Sequence, residues 1–335
     1  MTPRRDARGG TGRSSTGRGG AGRSGTGRGG TGRSTTGRSS TSRGRSDAGQ
    51  GRAARGGDTG RVGRGEPPSS RGAGRTGRVG GREARPEPTL GGEQVEGRQA
   101  VRELLVAGNR KVREVWVSTD PDRNEVVGDI VDLARSMRVQ VTEVARPRLD
   151  RQARSEAPQG VIAFAAPLQP VELADLMRRT PSAPPFLVAV DGVTDPGNLG
   201  ALLRSCDGAG VTGVILPKHR AVHVTPTVAK ASAGAIEHVR MALVGGLPAA
   251  PSRLRDAGIW VVGLDDAAER SLSELGDLAT GGICLVLGAE GPGLSRLVRE
   301  RCDLLVRIPM RGRLNSLNVS TAAALATYEV ARHRH

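Results

Sequence analysis

The sequence predicts an α/β protein: a doubly wound parallel-sheet domain, preceded by a smaller α/β unit and a disordered tail. Three observations carry this prediction. Five continuous apolar runs recur through the C-terminal half, helix and strand patterns alternate over residues 93–167, and residues 1–90 hold almost no large apolar side chain. Unbroken Val/Ile/Leu runs mark strands buried on both faces, as in a parallel sheet covered by helices.

The tail comes first along the chain. Residues 1–90 carry 20 Arg, no Lys and six acidic residues, a balance of +14 within a net charge of +16 for 335 residues. The remainder holds 30 basic and 28 acidic residues and is close to neutral. From Thr11 the tail repeats every five residues, which spaces Arg13, Arg18, Arg23, Arg28, Arg33 and Arg38 evenly. That period fits neither helix nor strand, and Met1 apart there is no large apolar side chain before Val62. Nothing offsets the entropy of ordering such a chain, so a disordered segment is expected. Guanidinium groups on a flexible chain suit phosphate backbones; a solubilising extension is the plainer alternative.

No run of about 18 apolar residues exists, which argues against a spanning helix. Cys206, Cys284 and Cys302 are odd in number and widely spaced, the pattern of reduced thiols in a cytoplasmic protein. His219 and His223 have ligand-like spacing, but no Cys pair or acidic cluster accompanies them, so no metal is expected.

Residues 93–167 read as a compact α/β unit. Gly97 to Ala107 and Asn124 to Met137 have helical spacing; Val112 to Ser118, Val139 to Val144 and Gln159 to Ala166 read as strands. Arg110, Lys111, Arg113, Arg146, Arg148, Arg151 and Arg154 give its loops a basic character, as RNA contacts or as a solvated surface. A join rich in proline (Pro167, Pro170, Pro181, Pro184 and Pro185) suits a linker around a short helical stretch. The larger domain, residues 171–335, then supplies the five runs: Phe186–Val190, Gly213–Leu216, Ile259–Val262, Ile283–Leu287 and Leu304–Ile308.

Ligands of such sheets bind outside the carboxyl ends of the strands. Three polar, glycine-bearing loops stand there. The first, from Asp191 to Ser205, has Asp195 as a helix N-cap and Pro196 at the first helical position, and carries Asn198 and Arg204. The second, Gly288 to Leu294, surrounds Glu290 with glycines that let backbone approach a ligand closely. It lacks the spacing of a dinucleotide fingerprint and the Lys-Ser/Thr of a phosphate loop. The third, Ile308 to Ser320, leads into a small-residue helix, and Ser316 and Asn318 could cap that helix or serve a site.

DGVTDPGNLGALLRS, ICLVLGAEGPGL and IPMRGRLNSLNVSTAAAL, in this order, resemble the three motifs of the SpoU (TrmH-type) RNA 2′-O-methyltransferases, and Thr225 to Val244 resembles the ribosomal-RNA branch of that family. The resemblance covers about residues 93–332. It implies a SPOUT-class domain with a C-terminal trefoil knot, an exception to the usual avoidance of knots, and an L30e-like RNA substrate-binding domain over residues 93–167. It also implies S-adenosylmethionine held by Leu287, Gly288, Ile308, Met310 and Leu317, and a catalytic set of Asn198, Arg204, Glu290, Ser316 and Asn318. A homodimer is expected, as is a substrate in 23S rRNA or a large-subunit precursor, most closely a guanosine ribose. Methylation of tRNA or of an rRNA adenosine stays open, as does a non-catalytic role in ribosome assembly. Arg311 and Arg313 make the third loop unusually basic and fall to no role in the family pattern.

Overall fold

The computed structural model describes residues 89–119, 125–179, 183–219 and 223–334. Apart from its last two residues, the tail expected to be disordered lies outside them.

The N-terminal part of the described chain runs β1 (Gln94–Glu96), α1 (Arg98–Ala107), β2 (Val112–Ser118), α2 (Glu125–Ser136), β3 (Gln140–Val144), α3 (Arg146–Gln152) and β4 (Val161–Ala165). Its sheet order is β1-β4-β2-β3, with β2 and β3 parallel and the other pairs antiparallel. β2 matches its expected span, and α1, α2, β3 and β4 match within a few residues. Two elements depart from expectation. β1 reads as polar, yet its Glu96 is fully buried, because its carboxylate accepts from the backbone N–H groups of Arg154 (2.7 Å) and Ser155 (3.0 Å). α3 carries Arg146, Arg148 and Arg151, expected on loops. Arg148 lies 5.0 Å above the Trp116 ring, a stacked guanidinium and not a free one.

The larger part follows as α4 (Leu173–Met177), β5 (Phe186–Asp191), α5 (Pro196–Gly208), β6 (Gly213–Pro217), α6 (Pro226–Ala231), β7 (Met241–Val244), α7 (Ala250–Asp256), β8 (Trp260–Leu264), β9 (Arg270–Ser271), β10 (Ile283–Gly288), α8 (Arg296–Arg299), β11 (Leu304–Arg307) and α9 (Val319–Arg332). The sheet order is β7-β6-β5-β10-β8-β11-β9, and every pairing is parallel. The five apolar runs form β5, β6, β8, β10 and β11. Ile308 lies beyond the last of these, and β7 and β9 are additional to them. One row of the sheet reads Leu264–Val306–Arg270. β11 therefore lies between two strands joined by only five residues, Asp265–Glu269.

The two sheets do not form independent bodies. A continuous apolar core joins Val95, Leu104 and Val115 to Val188, Leu202 and Val228. At its margin Arg110, expected as a basic loop residue, is buried against Glu237. Nη2 and Nε donate to the two carboxylate oxygens at 2.5 and 3.0 Å, and Nη1 donates to the carbonyls of Gly92 and Ala166, both at 2.8 Å. Taking one partner from such a pair strands the other charge, at a cost of about 3–5 kcal/mol.

The three cysteines are free thiols. Burial pushes those of Cys206 and Cys284 far above their usual pKa, and burial followed by the Asp303 carboxylate pushes Cys302 up to about 12. Among the described residues no helix is long and apolar enough to cross a membrane.

Candidate active site

Each of the three loops is built by local chemistry. Asp195 caps α5 by accepting from the Asn198 N–H at 2.7 Å, and Pro196 occupies the first helical position, as expected. Leu199, Leu202, Leu203 and Cys206 turn α5 into the core. A Cβ at Gly200 would lie 2.5 Å from the Ala231 Cβ, so only glycine lets α5 pack this closely on α6. Asn198 and Arg204 are left on the outer faces of α5, and Arg204 is exposed.

After β10 the chain folds straight back. Ala289 and Gly293 exchange backbone hydrogen bonds of 3.1 and 3.0 Å, with Gly291 and Gly293 at positive φ. Gly288 is required by this turn: its Cβ would lie 2.2 Å from the Gly293 carbonyl carbon. The space beside it is thus filled by the loop's own backbone, a physical reason different from the ligand approach read from the sequence. Asp191, ending β5, fastens the loop by accepting from the Ser295 N–H at 2.7 Å. In the third loop, Asn318 Oδ1 accepts from the Ser320 N–H at 2.8 Å and caps α9.

The three loops meet in a closed triangle. Glu290 Oε1 accepts from Asn198 Nδ2 at 2.9 Å and from Asn318 Nδ2 at 2.6 Å, and Asn318 Nδ2 also lies 2.9 Å from Asn198 Oδ1. The cap fixes which way the Asn318 amide points, so its NH2 must face the carboxylate. Capping and site geometry are one arrangement.

Glu290 and Asn318 border a cavity of about 530 Å³ at the carboxyl ends of β8, β10 and β11. Leu287, Gly288, Ile308, Met310 and Leu317, the five expected cofactor positions, all line it, and so does Ser316. Asn198 meets it only through Glu290 and Asn318. Arg204 does not join the group. It follows Asn198 by six residues, roughly 9 Å along the helix axis, and makes no hydrogen bond or ion pair among the described residues. Asn198 makes no contact with Arg204; its amide is engaged by Glu290 and Asn318.

Against known families, residues 185–328 match the model of the SpoU rRNA Methylase family, and residues 94–171 match that of RNA 2′-O ribose methyltransferase substrate binding. The Bacillus subtilis protein YacO, assigned to the TrmH family of tRNA/rRNA methyltransferases, is 38% identical over 246 residues, spanning 72% of this chain and 96% of its own. This chain belongs to the SpoU family of RNA methyltransferases. A Pseudomonas putida member, the 23S rRNA (guanosine-2′-O-)-methyltransferase RlmB, is also 38% identical, over 72% of this chain and 97% of its own. Among solved structures, the SpoU methyltransferase AviRb of Streptomyces viridochromogenes in complex with S-adenosylmethionine aligns with a TM-score of 0.59 at 26% identity, over 71% of this chain and 89% of that one.

As a SpoU enzyme the protein uses S-adenosylmethionine, and the cavity fits that molecule. Its volume falls within the roughly 300–1,000 Å³ usual for small-molecule sites. Leu287, Ile308, Met310 and Leu317 offer apolar surface to a flat base. Asp265, Asp266 and Glu290 outnumber the single cation Arg299, which suits a ligand of net positive charge. Leu264, Asp265, Asp266 and Ala267 also line the cavity, and sequence reasoning missed them. They stand at the carboxyl end of β8, so the strand-end rule that found the other loops could have found this one. Arg299 pairs with Asp265 at 3.0 Å, which holds that carboxylate at the cavity wall.

Proposed function

We propose that this enzyme methylates the ribose 2′-hydroxyl of a guanosine in 23S rRNA or a large-subunit precursor, in the cytoplasm. The observation that carries the chemistry is the Asn198–Glu290–Asn318 triangle at the mouth of a cavity fitted to a cationic cofactor. The choice of guanosine rests on the Pseudomonas putida relative together with the substrate-binding match over residues 94–171.

A ribose hydroxyl is a weak nucleophile, so the protein must polarise it, align it and exclude water. Bound S-adenosylmethionine supplies an electrophilic methyl group on a sulfonium. Glu290 has one oxygen taken up by the two amides; Oε2 accepts no hydrogen bond among the described residues and is free to receive one from the target nucleotide. Ser316 offers a hydroxyl to the same cavity. Arg204, unpaired and exposed, approaches the 2′-oxygen or a neighbouring phosphate when RNA is bound. A guanidinium is hard to deprotonate, so its part is to stabilise the developing alkoxide electrostatically.

The same reading extends to the fold. The row Leu264–Val306–Arg270, in which β11 passes between strands joined by five residues, supports a trefoil knot through which the third loop is threaded. The four-stranded sheet with α1 to α3 supports an L30e-like substrate domain. Leu325 and Tyr328, 47% and 55% exposed on α9, support a homodimer packed through that helix. Mapping 2′-O-methylation across rRNA from cells with and without the gene tests the substrate. One guanosine in 23S rRNA losing its mark is expected, and a lost mark only in tRNA or on an adenosine would replace this reading.

A further inference from the structure

The segment between Met310 and Ser316 is left unused by the catalytic account. Both of those residues line the cofactor cavity, yet everything from Arg311 to Asn315 stands in solvent. Leu314 is 76% exposed, the most open large apolar side chain among the described residues. Arg311 and Arg313 make no ion pair or hydrogen bond among those residues, although Asp265, Asp266 and Glu290 line the adjoining cavity. Gly312 between them has nothing within 4 Å of where a Cβ would sit. Two unneutralised guanidiniums followed directly by a bare leucine, at the rim of a reaction cavity, describe a contact surface whose partner is missing.

We propose that Arg311–Asn315 grips the RNA at the target nucleotide, Arg311 and Arg313 holding the phosphates on either side and Leu314 filling the stack that the nucleotide leaves. This rests on the reading of the protein as an RNA 2′-O-methyltransferase. The cavity lies between loops at the carboxyl ends of the strands, and a stacked nucleotide has to be drawn out before its 2′-oxygen can reach the cofactor. The gap left behind is apolar on both faces, and an inserted aliphatic side chain offsets the lost stacking. The charges decide between possible partners. A second protein surface would have to bring carboxylates to two arginines two residues apart, whereas phosphates flank every nucleotide presented to the cavity. Leu314 is thus a positioning residue, acting through the RNA and not on the reacting atoms.

The test uses the full-length protein and a 23S rRNA transcript. Arg311→Gln with Arg313→Gln is expected to lower the slope of log affinity against log salt by about 0.7 for each phosphate no longer held. Leu314→Ser is expected to reduce kcat on the folded transcript about tenfold with KM little changed, and to matter much less on transcript unfolded without magnesium. Both variants keep wild-type S-adenosylmethionine affinity by calorimetry and wild-type sedimentation. An unchanged salt slope overturns the arginine contacts, and an equal loss on folded and unfolded RNA overturns the wedge. Loss of cofactor affinity would make the loop part of the cofactor site, and a change in sedimentation would make it a subunit contact. No methyl incorporation by the wild-type enzyme would overturn the parent reading and the role of Leu314 with it, while the salt slope still reads the arginine pair.

Discussion

Glu237 and Glu290 each accept two side-chain hydrogen bonds, but they answer to opposite demands. Glu237 is 5% exposed and receives both bonds from one guanidinium, so its charge is matched and both its oxygens are occupied. Glu290 is exposed, receives its bonds from two neutral amides on one oxygen, and forms no ion pair among the described residues. The first arrangement is complete without a ligand and joins the two sheets. The second leaves an oxygen unused at the rim of a cavity, and such incompleteness is the mark of a site.

The contrast can be broken at either end. Glu237→Ala should cost the largest amount of stability, about 3–5 kcal/mol by denaturant unfolding, because Arg110 is left charged and buried. Glu290→Ala should move the unfolding midpoint little while removing methyl transfer. Equal destabilisation by the two would erase the distinction. Next in size is Arg204→Ala, expected to lower kcat by about 10²–10³, the usual loss on removing one electrostatic donor, with S-adenosylmethionine affinity intact. Retained turnover on substrate RNA would remove Arg204 from the site.

Asn318→Asp sharpens the comparison within one residue. Aspartate caps a helix as well as asparagine does, so α9 should keep its stability. Its carboxylate would then face Glu290 in place of an NH2, and the like charges should open the triangle and lower kcat/KM by at least about tenfold. Asn318→Ala serves as the control that loses cap and donor together, and a fully active Asn318→Asp enzyme would show that the amide donor is dispensable. The smallest effect concerns the Arg-rich tail. Removing residues 1–88 should weaken RNA binding several-fold and flatten its salt dependence, leaving cofactor affinity unchanged by calorimetry.

Much of the fold was legible because apolar runs are local. Phe186–Val190 and Ile283–Leu287 announce themselves as buried strands without reference to anything else in the chain, and each strand runs one residue further. β1 and β9 did not, since three and two residues carry no period, and they exist only through their partners Phe164 and Val306. The same limit applied to charge. Arg110 and Arg311 look alike in the sequence, but Glu237, 127 residues further along, neutralises the first, and nothing among the described residues neutralises the second. At the site, Asn198, Glu290 and Asn318 could be named from their motifs, whereas their shared hydrogen bonds could not be read from any one of them. Asp265 was hidden because its run, Ile259–Val262, ends before the polar residues begin, and no motif marks Asp265 or Asp266.

The closed cysteines have a practical consequence. A thiol reacts as its thiolate, and burial holds Cys206 and Cys284 out of that form and nearly out of reach, with Cys302 raised to about 12. A cysteine introduced in place of Leu314 would therefore be the fast-reacting thiol of the molecule without removal of any native cysteine. It would give a single attachment point for a fluorophore or an RNA crosslinker at the rim of the cavity.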